Sequence, residues 1–454
     1  MVGACAVMPD LAIIGGEVVD FQGPMLRRSR ASILVRGGRI VGITRDRFPA
    51  ARETLIAAGM FILPGFVNAH CHAIHLLLRG LTDGLRYHQW LEQVMYRALP
   101  HYVAADARVA AELFSAEAIR SGITTIGDST DFGNRAELVD ATLAAFRKAG
   151  MRCVYFRNFS DAPPAPLSGN RESARAALAE IENLMSRWSR DPLRTIGPGI
   201  NEPHFSTPQA FRKAVQLAEA HSVPLMAHVA ETREDAVIDG ENVIDWMMRH
   251  RILSPRLVLA HCVWLRDQDF RKIASAGAAV TWQPSTNAFL ADGVMPIRSV
   301  LKAGIVVGLG TDDTNANDRV NMFSEMRTAA LLTKIARRDS MAITPLELLR
   351  IATSGGAAAL GLGATVGSIA IGKSADLVLI DAKALRPFSD LASALVYQAG
   401  GPEVDTVLIN GRIVMRHREL LTLDEPALRA RAQRAANGVL LRSGIAIDRK
   451  GRAP

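Results

Sequence analysis

The 454-residue sequence has few cysteines and no long apolar run. Its four cysteines, Cys5, Cys71, Cys153 and Cys262, are widely spaced and match no disulfide framework or zinc-finger pattern. The first basic residue is Arg27, so the start of the sequence does not predict a secretory signal. No apolar stretch is long enough to span a bilayer, so a membrane partner is not expected. These absences together predict a cytoplasmic protein.

The sequence also lacks a basic block with interleaved aromatic residues. Its 53 basic and 45 acidic residues give a net charge of +8, but they are spread along the chain. Nucleic acid is therefore not an expected partner. Hydrophobic residues make up 49% of the sequence, which is enough to bury the core of one large domain and a smaller one.

Between residues 63 and 362, apolar strand-like segments alternate with helix-like ones. The strand-like segments are FVNAH (66–70), TTIGD (124–128), RCVYFR (152–157), RTIGPGI (194–200), PLMAHV (224–229), LVLAHC (257–262), AAVTWQ (278–283) and IVVGLGTD (305–312). Eight strands alternating with helices predict an α/β fold, a (β/α)8 TIM barrel over 63–362. A doubly wound open sheet is the alternative, but no glycine-rich dinucleotide fingerprint follows the first strand.

Both ends of the chain have a different pattern, with short strands and tight turns. Gly15-Gly16, Gly37-Gly38 and Asn410-Gly411 are hairpin signals. The two similar ends predict a small β-sandwich composed of residues 1–62 and 363–424. Residues 425–454 are predicted to form a C-terminal helical tail.

Four histidines and one aspartate follow or end apolar strands. They are His70, His72, His228, His261 and Asp312. In a barrel the carboxyl ends of all strands face one shared mouth, so these side chains are expected to meet. Each alone would be an ordinary hydrogen-bonded histidine or a helix cap. Together they predict a site for one divalent metal ion, Zn²⁺ or Fe²⁺, with a position open to water.

Glu231 lies three residues after His228, in the segment HVAET. A carboxylate there can reach a water that the metal has acidified and carry its proton towards a leaving amine. The alternative is an exposed glutamate at the start of the next helix.

The segments LPGFVNAHCH, HVAET, VLAHC and GLGTDD resemble the amidohydrolase superfamily. The likeness covers nearly the whole chain and is greatest to the mononuclear deaminase and chlorohydrolase branch, which includes melamine deaminase and atrazine chlorohydrolase. It implies that His70, His72, His228 and Asp312 are the metal ligands. Asp312 would also take a proton from water, Glu231 would be the catalytic proton shuttle, and catalytic His261 would orient the hydroxide.

The same resemblance implies substrate contacts at His75, Trp90, His204 and Asp313. Trp90 would pack against a planar ring, although a tryptophan in a helix core is nearly as good an interpretation. Bracing of a loop is the alternative for His204. Asp313 would accept hydrogen bonds from an exocyclic amine. Relatives of this kind also imply a homodimer or a higher homo-oligomer.

No lysine occurs between Lys148 and Lys213, which bracket the fourth predicted strand. Binuclear members of the superfamily commonly use a carboxylated lysine there, so its absence favours one metal. Glu202 could bridge two metals instead, and this alternative stays open.

The sequence therefore predicts a metal-dependent hydrolase that replaces an exocyclic amine on an N-heteroaromatic ring by hydroxyl and releases ammonia. The ring could be of the triazine, purine, pterin or pyrimidine type. Hydrolytic removal of chloride or an alkylamine from a triazine is the alternative, and a cyclic-amide hydrolase is third. The non-enzymatic alternative is a structural or assembly protein that kept the barrel fold without catalytic activity, but every expected ligand is present.

Overall fold

The computed structural model describes residues 8–45, 49–130, 132–133, 135–163 and 171–445. Within them, eight parallel strands pair in chain order, and the eighth returns to the first through Leu309 and Asn68. The barrel strands are Phe66–His72, Ile123–Thr130, Arg152–Phe159, Arg194–Ile200, Leu225–Val229, Leu257–His261, Ala279–Trp282 and Val307–Leu309. The short strand Asp312–Asp313 also pairs with the first barrel strand. The predicted α/β barrel is confirmed.

Helices connect the barrel strands, and several begin with a side-chain cap. Ser173 and Thr207 each accept a hydrogen bond from a backbone N–H in the first helical turn, which satisfies a donor that has no partner within the helix. The longer helices are Ala104–Arg120, Ala136–Ala149, Ala174–Trp188, Pro208–Ala220, Val243–Arg249, Asp267–Ser275, Met322–Arg337 and Glu425–Ser443. The shorter helical segments are Ala73–Leu78, Tyr87–Trp90, Leu91–Met95, Tyr96–Ala98, Leu99–His101, Pro203–Phe205, Glu234–Ala236, Pro284–Phe289, Ile297–Lys302, Pro345–Arg350, Ile351–Gly355, Gly356–Ala359, Leu391–Ser393 and Ala394–Gln398.

Two further sheets flank the barrel. The four-stranded sheet contains Leu11–Ile14, Ser32–Arg36, Arg39–Thr44 and Glu53–Ile56. The seven-stranded sheet contains Glu17–Asp20, Arg27–Arg30, Met60–Pro64, Leu377–Asp381, Val404–Ile409, Arg412–Arg416 and Glu419–Leu420, so it combines both ends of the chain. A separate hairpin pairs Val237–Ile238 with Glu241–Asn242. Ile13 and Leu55 of one sheet and Leu377 of the other share one apolar core, as in a sandwich. The domain boundaries stay a prediction.

Two glycines allow the chain to pass close to its neighbours near the site. A Cβ at Gly65, between the flanking sheet and the first barrel strand, would lie 2.1 Å from Thr124 Oγ1. A Cβ at Gly310, before Asp312, would lie 2.6 Å from the carbonyl oxygen of His70. Contacts this short exclude any side chain, so glycine is required at both joints.

Two site residues adopt left-handed backbone conformations at the mouth of the barrel. The φ angle is 72° at His261 and 58° at Asp312. Such angles are costly for residues with a side chain, by about 1 kcal/mol or more, and they cluster at functional sites. Both unusual backbone conformations thus occur at residues of the candidate site.

In the described ranges, no helix is both long and apolar enough to cross a membrane.

Candidate metal centre and active site

His72, at the end of the first barrel strand, and His228, in the fifth, are held in the same way. Each donates its Nδ1–H to a backbone carbonyl, that of Ser129 for His72 and that of Asn201, at 2.7 Å, for His228. A neutral imidazole with Nδ1 protonated keeps a lone pair on Nε2. The two carbonyls therefore fix the tautomer that leaves each Nε2 able to bind a metal.

The Nε2 atoms of His70 and His72 lie beside the carboxylate of Asp312, and the Nε2 atom of His228 lies beside that of His72. Asp312 Oδ1 lies 3.1 Å from His70 Nε2 and 3.4 Å from His72 Nε2, and the Nε2 atoms of His72 and His228 are 3.3 Å apart. His70 Nε2 and both oxygens of Asp312 are buried without a hydrogen-bond partner among the described residues. Buried lone pairs that face one another are unfavourable unless a cation lies between them. Three imidazoles and one carboxylate fit one divalent metal ion.

His261 has a different role from the other three histidines. Asn287 Nδ2 donates to His261 Nδ1 at 3.1 Å, so the ring proton is on Nε2. That Nε2–H faces Glu231 Oε2 at 3.3 Å and Asp312 Oδ2 at 3.8 Å. Burial lowers the pKa of His261 to about 4, so the ring is neutral near pH 7. His261 is therefore placed as a hydrogen-bond donor beside the predicted metal ligand Asp312.

Glu231, the predicted proton shuttle, is only 4% exposed. Burial raises the pKa of its carboxyl well above the usual range, and the negative charges of Asp292 and Asp312 raise it further. A shift in this direction favours the protonated acid, which is the form that can give a proton to a bound ring nitrogen. Asp292 is a neighbour that the sequence pattern does not reveal, since it lies in a loop far from the strand ends.

A cleft of about 750 Å³, measured to its open mouth, leads down to these residues. Its apolar and aromatic wall consists of Tyr87, Trp90, Leu91, Met95, Tyr96, Leu99 and Phe205. Asp313 and His75 also line it, and Asp313 Oδ1 is bonded to His75 Nδ1. Among the described residues, the buried Trp90 Nε1–H has no acceptor. The predicted contacts Trp90, His75 and Asp313 thus lie together in one cleft.

Glu202 and His204 line a second, outer part of the cleft. Tyr87 Oη donates to Glu202 Oε1 at 2.6 Å, and Glu202 lies with His204 and Asp235 apart from the histidine cluster. Burial, then the charge of Asp235, raises the pKa of Glu202 to about 8. His204 Nε2 donates to the carbonyl of Val237 at 2.8 Å, and His204 lines the outer cavity instead of the inner one. Contact of His204 with the reacting ring stays a prediction.

Sequence reasoning missed the polar wall formed by Asn158 and Asn201. Asn158 Nδ2 donates to Asn201 Oδ1 at 2.8 Å, and Ser129 Oγ donates to Asn158 Oδ1 at 3.1 Å. These side chains connect the two residues whose carbonyls hold His72 and His228. Their position at the ends of the third and fourth strands was the available signal, because the carboxyl ends of all barrel strands meet at one mouth.

A parallel barrel with a three-histidine, one-aspartate cluster at the carboxyl ends of its strands defines a metal-dependent hydrolase. Residues 61–414 match the Amidohydrolase family, and the chain belongs to this family.

Similar proteins have related activities. The chain is 34% identical over 432 residues to the 5-methylthioadenosine/S-adenosylhomocysteine deaminase of Syntrophobacter fumaroxidans, covering 91% of this chain and 95% of that protein. Its fold matches an adenosine deaminase from Xanthomonas campestris, crystallised with bound zinc, with a TM-score of 0.88 and 30% identity over 95% and 99% of the two chains. It also has the fold of atrazine chlorohydrolase from Arthrobacter aurescens TC1, with a TM-score of 0.86 and 24% identity over 94% and 100% of the chains.

The predicted enzyme class is confirmed, since the chain is a hydrolase that cleaves C–N bonds other than peptide bonds. Its relatives support hydrolytic deamination of an N-heterocycle, and its histidine and aspartate cluster supports a divalent metal.

Proposed function

We propose that the chain is a zinc-dependent deaminase of a 6-aminopurine ring carried on ribose, that is, of the adenosine class. The observation that supports this most is the set of unpartnered lone pairs of His70 Nε2 and Asp312 at the base of a cleft with aromatic walls. The names of two relatives, both at least 30% identical, favour an adenine nucleoside over the triazine, pterin and pyrimidine alternatives. Three nitrogen ligands and one oxygen ligand suit zinc, which the similar adenosine deaminase also contains.

His70, His72, His228 and Asp312 would hold the ion. A divalent ion bound there supplies Lewis acidity, which makes water nucleophilic at neutral pH. The carbonyls of Ser129 and Asn201 keep the ligand rings in the tautomer that the ion requires.

Glu231 and His261 would direct the protons. As water adds to the ring carbon that bears the amine, Glu231 would give its proton to the adjacent ring nitrogen and regain one from that water. Asp312 would take the second proton of the water as the new C–O bond becomes a carbonyl, and Glu231 would protonate the amine, which leaves as ammonia when the C–N bond breaks. The proton on Asp312 would then return to Glu231 and restore the starting state. His261 donates its Nε2–H to the attacking oxygen, because that N–H already faces Glu231 and Asp312 at 3.3 and 3.8 Å.

The cleft wall would orient the ring. Trp90 offers an aromatic face and an unpartnered N–H, and Asp313, fixed by His75, offers an acceptor for the exocyclic amine. An acceptor at that position favours an amine over a chloride as the leaving group.

The test is ammonia release by the zinc-loaded protein from adenosine, cytosine, guanine, a pterin and melamine, with chloride release from a chlorotriazine measured in parallel. Glu231→Gln keeps the shape of the side chain and removes the proton carrier. We expect ammonia from adenosine at a rate at least about a thousandfold above that of Glu231→Gln, which should still bind one metal per chain.

Preferential release from another ring would overturn the purine assignment while leaving the deaminase intact. Chloride release would show that the role given to Asp313 is wrong. Equal rates for the protein and for Glu231→Gln would remove Glu231 from the mechanism.

A further inference from the structure

The cleft above the metal ligands continues into a second cavity. The two share Leu91, Tyr96, Glu202 and Phe205 in their walls. The outer cavity holds about 790 Å³, measured to its open mouth. A substrate whose ring lies at the metal ligands would therefore extend its substituent past Glu202 into the outer cavity.

The outer cavity is lined by acids. Its carboxyl groups belong to Glu92, Glu202, Glu234 and Asp235. In the described part of the chain, no lysine or arginine lines either cavity, and His88 and His204 are the basic side chains of the outer one.

Two of these acids are buried next to each other. Glu202 is 7% exposed and Asp235 is 8% exposed, and a ligand atom from each lies within 4.8 Å of the other and of His204. One oxygen of each is engaged, Glu202 Oε1 by Tyr87 and Asp235 Oδ2 by the N–H and O–H of Thr232. Their mutual repulsion contributes to the raised pKa of Glu202. A positive charge placed between them would relieve this repulsion.

Buried polar atoms in the same walls also have no partner. Trp90 Nε1 in the inner cavity and His204 Nδ1 in the outer one are buried without a hydrogen-bond partner in the described ranges. Native proteins rarely leave such atoms unpaired unless a ligand completes them. Both therefore indicate that a ligand spans the two cavities.

We propose that the outer cavity selects the substituent of the substrate by charge, favouring a protonated amine and disfavouring a carboxylate or a phosphate. This inference depends on the proposed function, since it assumes an adenine nucleoside with its ring at the metal ligands. It also predicts a substrate preference different from that of the relative named for S-adenosylhomocysteine. The tail of S-adenosylhomocysteine carries a carboxylate beside its ammonium group.

The test compares three nucleosides that differ in the charge of the tail. Adenosine is neutral, S-adenosylhomocysteine has both charges, and its decarboxylated analogue keeps only the ammonium. We expect kcat/KM for ammonia release to be at least about tenfold higher for the decarboxylated analogue than for S-adenosylhomocysteine at low salt. The ratio should shrink as salt is added, because added ions screen the cavity charges.

The double variant Glu202→Gln/Glu234→Gln removes two of the carboxyl groups and keeps the side-chain shapes, so neither position can carry a negative charge beside a bound ammonium. It should reduce the tenfold preference to below about threefold. Glu419→Gln, which changes an exposed acid in the last strand, is the matched control and should keep the preference unchanged.

Deamination of adenosine with no preference between the two charged nucleosides, or with a preference for S-adenosylhomocysteine, would overturn the charge selection alone. A preference that survives in the double variant would also contradict it, because another feature would then be responsible. If none of the three nucleosides releases ammonia, the purine assignment fails and the charge selection fails with it.

Discussion

Glu325 is a fully buried carboxyl that connects two loops at the mouth of the barrel. Its Oε1 accepts from the side chain of Asn317, in the loop after Asp312, at 2.7 Å. Its Oε2 accepts from the backbone N–H of Ser285, in the helix that carries Asn287, at 3.2 Å. One side chain thus braces the loop of a predicted metal ligand and the residue that fixes the tautomer of His261.

Burial raises the pKa of Glu325 from 4.5 to about 8. The folded protein therefore holds a proton that the unfolded chain has lost, so the stabilisation from this group is complete below pH 4.5 and is lost as the pH rises through 8. We expect the free energy of unfolding of the zinc-saturated protein to fall between about pH 6 and 8, by at most about 1.4 kcal/mol per pH unit from this group.

The measurement is urea unfolding across that range for the protein, for Glu325→Gln and for the exposed control Glu419→Gln. Glu325→Gln should have the shallower slope whatever its absolute stability, and Glu419→Gln should keep the original slope. Parallel slopes for all three proteins would show that Glu325 is ionised when folded.

Single residues were predictable where they end a strand. His70, His72, His228, His261 and Asp312 could be placed in one site because the barrel brings all carboxyl strand ends together. Glu202 could be identified in the sequence, but its role could not, since its hydrogen bond to Tyr87 depends on how the segment that carries Tyr87 packs over the barrel. His204 lies only two residues further, yet the short helical turn Pro203–Phe205 directs it to the outer cavity.

Among whole elements, the C-terminal helix Glu425–Ser443 packs along helix Ala104–Arg120. Leu428 is fully buried there, whereas Leu441 on the same helix is 84% exposed. Ion pairs join the two helices at their edges, including Arg431 to Glu112 at 2.9 Å. Burial of this apolar face therefore contributes most of the free energy that holds the helix in place.

We expect Leu428→Ala to lower the free energy of unfolding by about 2 to 5 kcal/mol, because it leaves a cavity between the helices. Leu441→Ala, the same substitution on the exposed face, should change it by less than about 0.5 kcal/mol. Chemical unfolding of both variants checks this. Similar losses in the two would mean that the helix does not dock as described.

Strands were easier to predict than the short helical segments. Each of the eight barrel strands is a short apolar run, because it is covered on both faces, and such runs are visible in a sequence. The segments from Tyr87 to His101 form a succession of brief helical turns over the cleft. Their sequence has no single period, so their position is determined by packing against the barrel rather than by local pattern.

On the scale of the whole molecule, the two ends of the barrel differ. The amino ends of its strands contribute to stability, and the carboxyl ends carry the candidate active site. Arg152, at the start of the third barrel strand, makes a two-pronged ion pair with Asp376, just before a strand of the seven-stranded sheet, at 2.7 and 2.9 Å. Both residues are only 4% exposed. This pair connects the amino end of the barrel to the flanking sheet, at the end opposite to the carboxyl ends that carry the predicted metal ligands.

Arg152→Met should destabilise the protein by about 3 to 5 kcal/mol, because it leaves Asp376 buried without its partner. Arg187→Met removes the exposed partner of Asp140 and should cost less than about 1 kcal/mol. Thermal unfolding gives the stabilities, and kcat/KM at a temperature where both variants are folded should equal that of the unaltered protein. A selective loss of activity in folded Arg152→Met would contradict the separation of the two ends.

The most direct test of a single-metal hydrolase is a zinc titration of the chelator-stripped protein, followed by ammonia release from adenosine. The cluster of three histidines and Asp312 predicts no activity without metal, a linear rise to one equivalent per chain and no rise beyond it. Activity in the stripped protein, or a rise that continues to two equivalents, would contradict it.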